Sequence, residues 1–276
     1  MYNLMKMDMR RMWRSRYTWL ILLIVVTMVF FSFFMVKASL DQVGQAPEGQ
    51  QSGAISVTID SPPEDVLEQL TLGSLGGSLI ADGLIMILCT IFVALFLGAE
   101  QRGGYIKNIA GQLPARGLLV VSKLITIAVF LLVLMGLYTL SVYAFGKIFF
   151  AEKMTTGSLA TLFSMLSAQY VLHLAFCGFL MLLHALSRST AVTLAGGLLV
   201  SVGLTRFVYT LINKLILVAN SASEFDLGRY MVDSNITAAR FEATPQLFEQ
   251  ALIVGAVFVI VYVVLSALTV HKKDVC

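Results

Sequence analysis

Charged residues are scarce: they make up 13% of the 276 residues, and mean hydropathy is +0.86. A water-soluble domain carries about a quarter charged residues and cannot bury this much apolar surface. That excludes an ordinary soluble domain and makes lipid a large part of the solvent. Cysteine is scarce too. Cys89 and Cys177 lie inside apolar runs and Cys276 is the last residue. An odd number so placed excludes a disulfide framework and reads as small buried hydrophobes. A net charge of +3 is too small for a nucleic-acid footprint. There is no Gly-x4-Gly-Lys-[Ser/Thr] phosphate loop, and Gly146-Lys147-Ile148 fails on both flanks. His-Glu-x-x-His and Gly-x-Ser-x-Gly are absent as well. No repeat or low-complexity tract interrupts the chain.

What is present is a series of apolar stretches, at 19–36, 80–99, 118–145, 159–186, 191–212 and 251–270. Each is near the 20 or so residues that span a bilayer as helix. The third and fourth exceed that minimum, so tilt or an interfacial end is expected. The expected fold is an all-α integral membrane protein of six transmembrane helices, 1–276 forming one domain.

Basic residues set the orientation. Lys6, Arg10, Arg11, Arg14 and Arg16 precede the first stretch; Arg102, Lys107 and Arg116 follow the second, with Lys123 just inside the third. Arg188 separates the fourth and fifth, and Lys272 and Lys273 follow the sixth. On the other side, 38–79 contains no Lys or Arg but six carboxylates, and the 213–250 loop adds Glu224, Asp226, Asp233, Glu242 and Glu249. Both ends are therefore expected in the cytoplasm. The first stretch is longer than a signal-peptide core and reads as a retained helix.

Residues 1–17 have a helical pattern of their own. Leu4, Met5, Met9, Met12 and Trp13 share one face, with Lys6, Arg10, Arg11 and Arg14 elsewhere on the turn. This predicts an amphipathic helix lying in the cytoplasmic interface. In the first outer loop, 55–59 alternates like a strand and 64–70 reads as an acidic helix, too little for an independent domain. In the second, helix is expected at 246–252. Asn235-Ile236-Thr237 matches a glycosylation sequon by chance if the protein is bacterial.

The segment 100–117 carries the functional signal. Glu100 opens it, Gly103 and Gly104 free the chain, and Tyr105, Ile106, Ile109 and Leu113 recur on one helical face before Pro114 and Arg116. A short helix with an apolar face and flanking charges suits a groove on another protein or a bed of lipid head groups. Here the sequence resembles the permease subunits of type-2 ATP-binding-cassette (ABC) transporters. Glu100, Gly104, Ile106, Ile109, Arg116 and Lys123 fall at places matching that family's second cytoplasmic loop. Ile106-Lys-Asn-Ile109 and Ser122-Lys123-Leu124 are similar to the small six-helix bacterial permeases of bacitracin resistance, lantibiotic immunity and peptide export. Tyr105 stands where Thr is usual, and Pro114 is displaced by about one residue.

The resemblance implies two permease chains, identical or related, packed in the plasma membrane. Each would present this coupling helix to one subunit of a cytoplasmic ATPase dimer, which binds the ATP and Mg. The chain itself would be non-catalytic and hold no cofactor. Export of a hydrophobic or amphipathic substrate follows: a peptide, lipid or drug. From its position, Glu100 is expected to cap the coupling segment or to pair with a basic ATPase residue.

Other polar residues in the stretches are weaker candidates. Asp82 and Arg206 both lie near the outer face and are candidates for a polar pair. His173 and His184 are eleven residues apart and share no simple helical face; each is expected to hydrogen-bond a neighbouring helix. Gly178, Gly196, Gly197 and Gly203 are expected to permit close helix packing. A secondary transporter, a non-transporting scaffold or sensor, and an intramembrane hydrolase are the rival readings. The first normally shows buried charges or broken helices at mid-membrane.

Overall fold

A computed structural model describes residues 2–43, 72–102, 117–150, 157–219, 225–241 and 243–272. All regular structure in them is helical. The elements are α1 (Tyr2–Arg14), α2 (Arg16–Val43), α3 (Leu72–Ala81), α4 (Leu84–Arg102), α5 (Gly117–Phe150), α6 (Leu159–Ser187), α7 (Thr190–Ser201) and α8 (Leu204–Ala219). A 3-10 turn (Leu227–Tyr230), α9 (Val232–Ala238) and α10 (Pro245–Lys272) complete the chain. The strand-like run 55–59 and the acidic stretch 64–70 lie outside the described residues.

Among the described residues four helices, α2, α5, α6 and α10, are long and apolar enough to cross a membrane, and the bent pair α7–α8 makes up to five. The protein is thus a membrane-embedded helical bundle. α2, α5, α6 and α10 match the first, third, fourth and sixth apolar stretches. Their exposed surface is built of large apolar side chains such as Phe31, Leu132, Leu140, Ile253 and Ile260. In water that surface would aggregate; in hydrocarbon it is solvated.

The second and fifth stretches differ from expectation, because each is broken. α3 stops at Asp82-Gly83, where Gly83 has φ +90°; α7 stops at Val202-Gly203, where Gly203 has φ +83°. That left-handed backbone favours glycine, which has no Cβ to clash. Gly203 therefore serves a change of direction, 61° between α7 and α8, rather than the packing read for it. The two breaks face each other: a Cβ on Gly83 would lie 2.8 Å from the carbonyl oxygen of Ser201.

Helix directions follow from glycine contacts. A Cβ on Gly98 would collide with Thr190, and one on Gly197 with Thr90 and Leu180. Rising numbers on α4 meet falling numbers on α7, so the two helices are antiparallel and nearly touch. Gly255 packs on Val171 and Leu172, and Gly178 on Tyr262. Numbers rise together there, so α6 and α10 are parallel. Phe92 of α4 stacks on Phe130 of α5 with centroids 3.5 Å apart. Phe92 also lies against Phe96 and against Tyr17 of α2. This aromatic column fills the centre of the bundle.

α9 folds back against α3, α6 and α10. Its C-terminal carbonyls would be orphans in an apolar setting. Gln169, fully buried on α6, satisfies two: its Nε2 donates to Ile236 O and Ala239 O, each at 2.8 Å. Tyr138 on α5 donates to Gly76 O at 2.6 Å and ties α3 to the bundle.

Candidate coupling site at the base of the 103–116 segment

α1 and α2 meet at a tight corner. Ser15 and Thr18 hydroxyls both donate to Met12 O at 2.8 Å, and Trp19 Nε1 donates to Trp13 O at 3.0 Å. These bonds replace partners that the end of α1 lacks. Trp13 and Trp19 rings lie 5.9 Å apart and are exposed, as aromatic residues at a membrane surface are.

The corner turns the apolar face of α1 onto protein. Met12 is fully buried, Leu4 is buried, and Met9 packs against the core, while Arg10 and Arg14 are exposed. The helix read from the sequence is present, but much of its apolar face covers the base of α5 rather than lipid. Asp8 is buried with it, a residue the sequence pattern did not single out.

Two charges from α1 enter a cluster with α4 and α5. Glu100 is 4% exposed, and its carboxylate pairs with Arg11 at 3.4 Å and with Lys123. Arg11 also donates to Phe96 O at 3.2 Å and lies 4.3 Å above the Phe96 ring. Asp8 Oδ2 accepts from Ser122 Oγ at 2.8 Å, one residue before Lys123. Two carboxylates thus face two cations, so the formal charges of the cluster balance. Glu100 has both of these partners inside its own chain. Lys123 and Ser122 were visible in the sequence as neighbours in a motif; Asp8 and Arg11, about 90 residues from Glu100, carried no signal linking them to it.

His184 closes the cluster from α6, within electrostatic reach of Glu100 and Lys123. The Thr193 hydroxyl donates to Ser189 O at 2.9 Å, so its lone pair accepts the His184 Nδ1 proton across 2.9 Å. That bond joins α6 to α7, as expected of a helical histidine. His173 differs, since its Nδ1 donates to Gln169 O of its own helix at 2.8 Å.

Burial pushes the Asp8 carboxyl above its usual range, against the opposing pull of Lys123, Ser122 and Arg11. A folded-state value above the unfolded one means the folded chain holds this proton more tightly. The stabilisation is present below the unfolded value and is lost as pH rises through the folded one. Asp8→Asn is expected to raise the melting temperature in detergent at pH 8, with the gain shrinking towards pH 4. A difference constant with pH would remove burial of the charge as its cause.

The other candidates fall apart from this cluster. Gly104, Tyr105, Ile106, Ile109, Leu113 and Arg116 lie outside the described residues. The Asp82–Arg206 pair does not form: Asp82 pairs with Arg240 at 3.2 Å, and Arg206 lines a separate cleft. Asp82 and Arg240 are more than half exposed, so their pair adds little stability. Asn235, the sequon residue, is buried with its Nδ2 donating to Arg229 O and Met231 O, so it is not available to a glycan in the folded chain.

Among the described residues no group of three or more His, Cys, Asp or Glu could hold a metal ion. α1, α4 and α5 are held together by the contacts of the Glu100 cluster where α4 ends and α5 begins. Comparison with curated proteins finds no match to this chain. Residues 59–276 match the family model described as "Protein of unknown function (DUF2705)", and the chain belongs to that family.

Proposed function

We infer that this chain is the permease subunit of an ATP-driven type-2 ABC exporter of the bacterial plasma membrane. The observation that carries the reading is the buried Glu100–Arg11–Lys123 cluster at the root of the segment that resembles a coupling helix. A loop that transmits force needs an anchor that does not yield. Here the anchor joins an amphipathic helix, the outgoing helix α4 and the returning helix α5, as a coupling element requires.

Six spans follow if α3–α4 and α7–α8 each count as one broken span. At 1.5 Å per residue, α7 and the tilted α8 together project about 30 Å, one hydrocarbon thickness. The antiparallel α4–α7 and parallel α6–α10 pairs fit that alternation. Lys6, Arg10, Arg14, Arg16 and Arg188 gather at the α1 end, which supports placing it in the cytoplasm. The chain itself binds no nucleotide on this reading. A separate ATPase dimer supplies ATP and Mg, a second permease chain completes the pathway, and the substrate is a hydrophobic or amphipathic peptide, lipid or drug.

Substituting Ile106→Asp with Ile109→Asp is expected to leave membrane insertion intact and to abolish co-purification of the ATPase encoded beside this chain. Undiminished co-purification would remove the coupling role. A second reading, secondary transport, is favoured by the two helix breaks that face each other at Gly83 and Gly203. Substrate movement driven by an ion gradient without ATP would decide for it.

A further inference from the structure

α8 has two unlike faces. Arg206, Tyr209, Thr210 and Asn213 recur at steps of three and four and line a cleft of about 550 Å³. Phe207, Val208, Leu211, Leu215 and Val218 lie off that stripe and are all exposed. The opposite wall is the 3-10 turn with Arg229, α9 with Asn235, and the first turns of α10 with Gln246 and Gln250.

The frame of the cleft is held by its own polar groups. Asp226 Oδ1 accepts from Asn213 Nδ2 at 2.7 Å and from Gly228 N at 2.9 Å, and Asn213 Oδ1 accepts from Leu227 N at 3.0 Å. Gln250 Nε2 donates to Arg229 O at 2.8 Å. The two guanidinium groups are not used in this way. Among the described residues, Arg206 and Arg229 make no ion pair and no side-chain hydrogen bond of their own guanidinium. Among the described residues lining it, the two arginines stand against one carboxylate, Asp226, an excess of positive charge.

Its depth in the bundle is fixed by α10. Gln246 and Gln250 line the cleft, whereas Ala267 touches Gly117 at the start of α5, near the Glu100 cluster. At 1.5 Å per residue these ends are roughly 25–30 Å apart, one hydrocarbon thickness. The cleft therefore opens at head-group level on the membrane face opposite α1, with the apolar stripe of α8 in the acyl chains beside it.

We propose that this cleft binds the phosphate-bearing head group of a membrane amphiphile, its phosphate held by Arg206 and Arg229 and its tails lying along Phe207, Leu211 and Leu215. A guanidinium fork matches two phosphate oxygens, and among the described residues both forks stand free. The amide side chains around them offer hydrogen bonds to glycerol or amine groups of the head. The site does not depend on how transport is energised.

The test uses the full chain purified in a neutral detergent and titrated with dihexanoyl phosphatidylglycerol. Dihexanoylglycerol, which lacks the phosphate, and inorganic phosphate, which lacks the tails, serve as comparisons. The phosphatidylglycerol is expected to bind at least about tenfold more tightly than either, and Arg206→Gln with Arg229→Gln to weaken it by about tenfold or more. Asp226→Asn keeps the Oδ1 acceptor and removes the opposing charge; it is expected to tighten binding about threefold, a direction misfolding cannot produce. Inorganic phosphate binding as tightly as the lipid would make this a soluble-anion site and overturn the proposal. Equal binding of dihexanoylglycerol, or an unchanged affinity in the double arginine variant, would overturn it as well. So would an Asp226→Asn variant that binds no more tightly.

Discussion

Glu100→Gln is expected to lower the stability of the purified protein by about 3–5 kcal/mol, the cost of breaking a buried ion pair from one side. The loss arises less from attraction forgone than from two cations left with Asp8 as the one remaining carboxylate of the cluster. Lys123 is 12% exposed and Arg11 25%, so Arg11 can recover some water while Lys123 cannot. The effect should therefore sit towards the lower end of the range and depend on Lys123. Unfolding of the variant in mixed micelles, followed by helical circular dichroism, measures it. Adding Lys123→Met to Glu100→Gln should restore most of the stability, because it removes the excess cation and leaves Asp8 to balance Arg11. It should not restore association with an ATPase if the cluster anchors the coupling segment. A single variant within about 1 kcal/mol of wild type would mean that water already reaches Glu100.

The second large effect is steric. At Gly197 an added Cβ would stand 2.5 Å from Thr90 and 2.6 Å from Leu180, so Leu there has no room without moving α7 away from α4 and α6. Gly197→Leu is expected to cost at least about 3 kcal/mol, the upper range for overpacking, and to abolish folded protein at ordinary expression temperatures. Gly136 supplies the internal comparison. A Cβ there meets nothing within 4 Å, and the residue is exposed on α5. Gly136→Ala should therefore raise stability, by up to about 1 kcal/mol, through helix propensity. Equal loss in both variants would indicate a general intolerance of glycine replacement rather than the α4–α7 contact.

The long helices were legible because a spanning helix states itself in hydropathy. Stretches 118–145 and 159–186 reappear as Gly117–Phe150 and Leu159–Ser187 with little change at the start of either. The ends were less legible. The helix expected at 246–252 is present and runs unbroken into the sixth stretch as α10 from Pro245; hydropathy alone does not join the two, because these first turns are polar and line the cleft. The breaks were hidden for another reason. Asp82-Gly83 and Val202-Gly203 sit inside apolar surroundings, and glycine is common in membrane helices for packing as well as for turning. Gly197 and Gly203 look alike in sequence; only the backbone angle separates them.

The cluster at Glu100 was half legible. Its helical pattern revealed α1, and the motif around Glu100 and Lys123 marked the loop, but pattern analysis works within a window. Nothing local says that Arg11 will lie on Phe96 or that Asp8 will turn inward towards Ser122. The pairing Asp82–Arg206 failed for the same reason. Both residues do lie at helix breaks, yet Arg240, in the short connection after α9, is nearer to Asp82.

The facing breaks divide the bundle into two storeys. One holds α3, α8, the 3-10 turn and α9, with the arginine-lined cleft between the last three and the start of α10; the other holds α1, α4 and α7 with the Glu100 cluster. α2, α5, α6 and α10 pass through both as continuous columns. The glycine turns at Gly83 and Gly203 mark the level at which the two storeys meet. The hydrogen bonds of Tyr138 and Gln169 clasp α3 and α9 to the columns α5 and α6, and any motion between the storeys would have to open them or carry them with it.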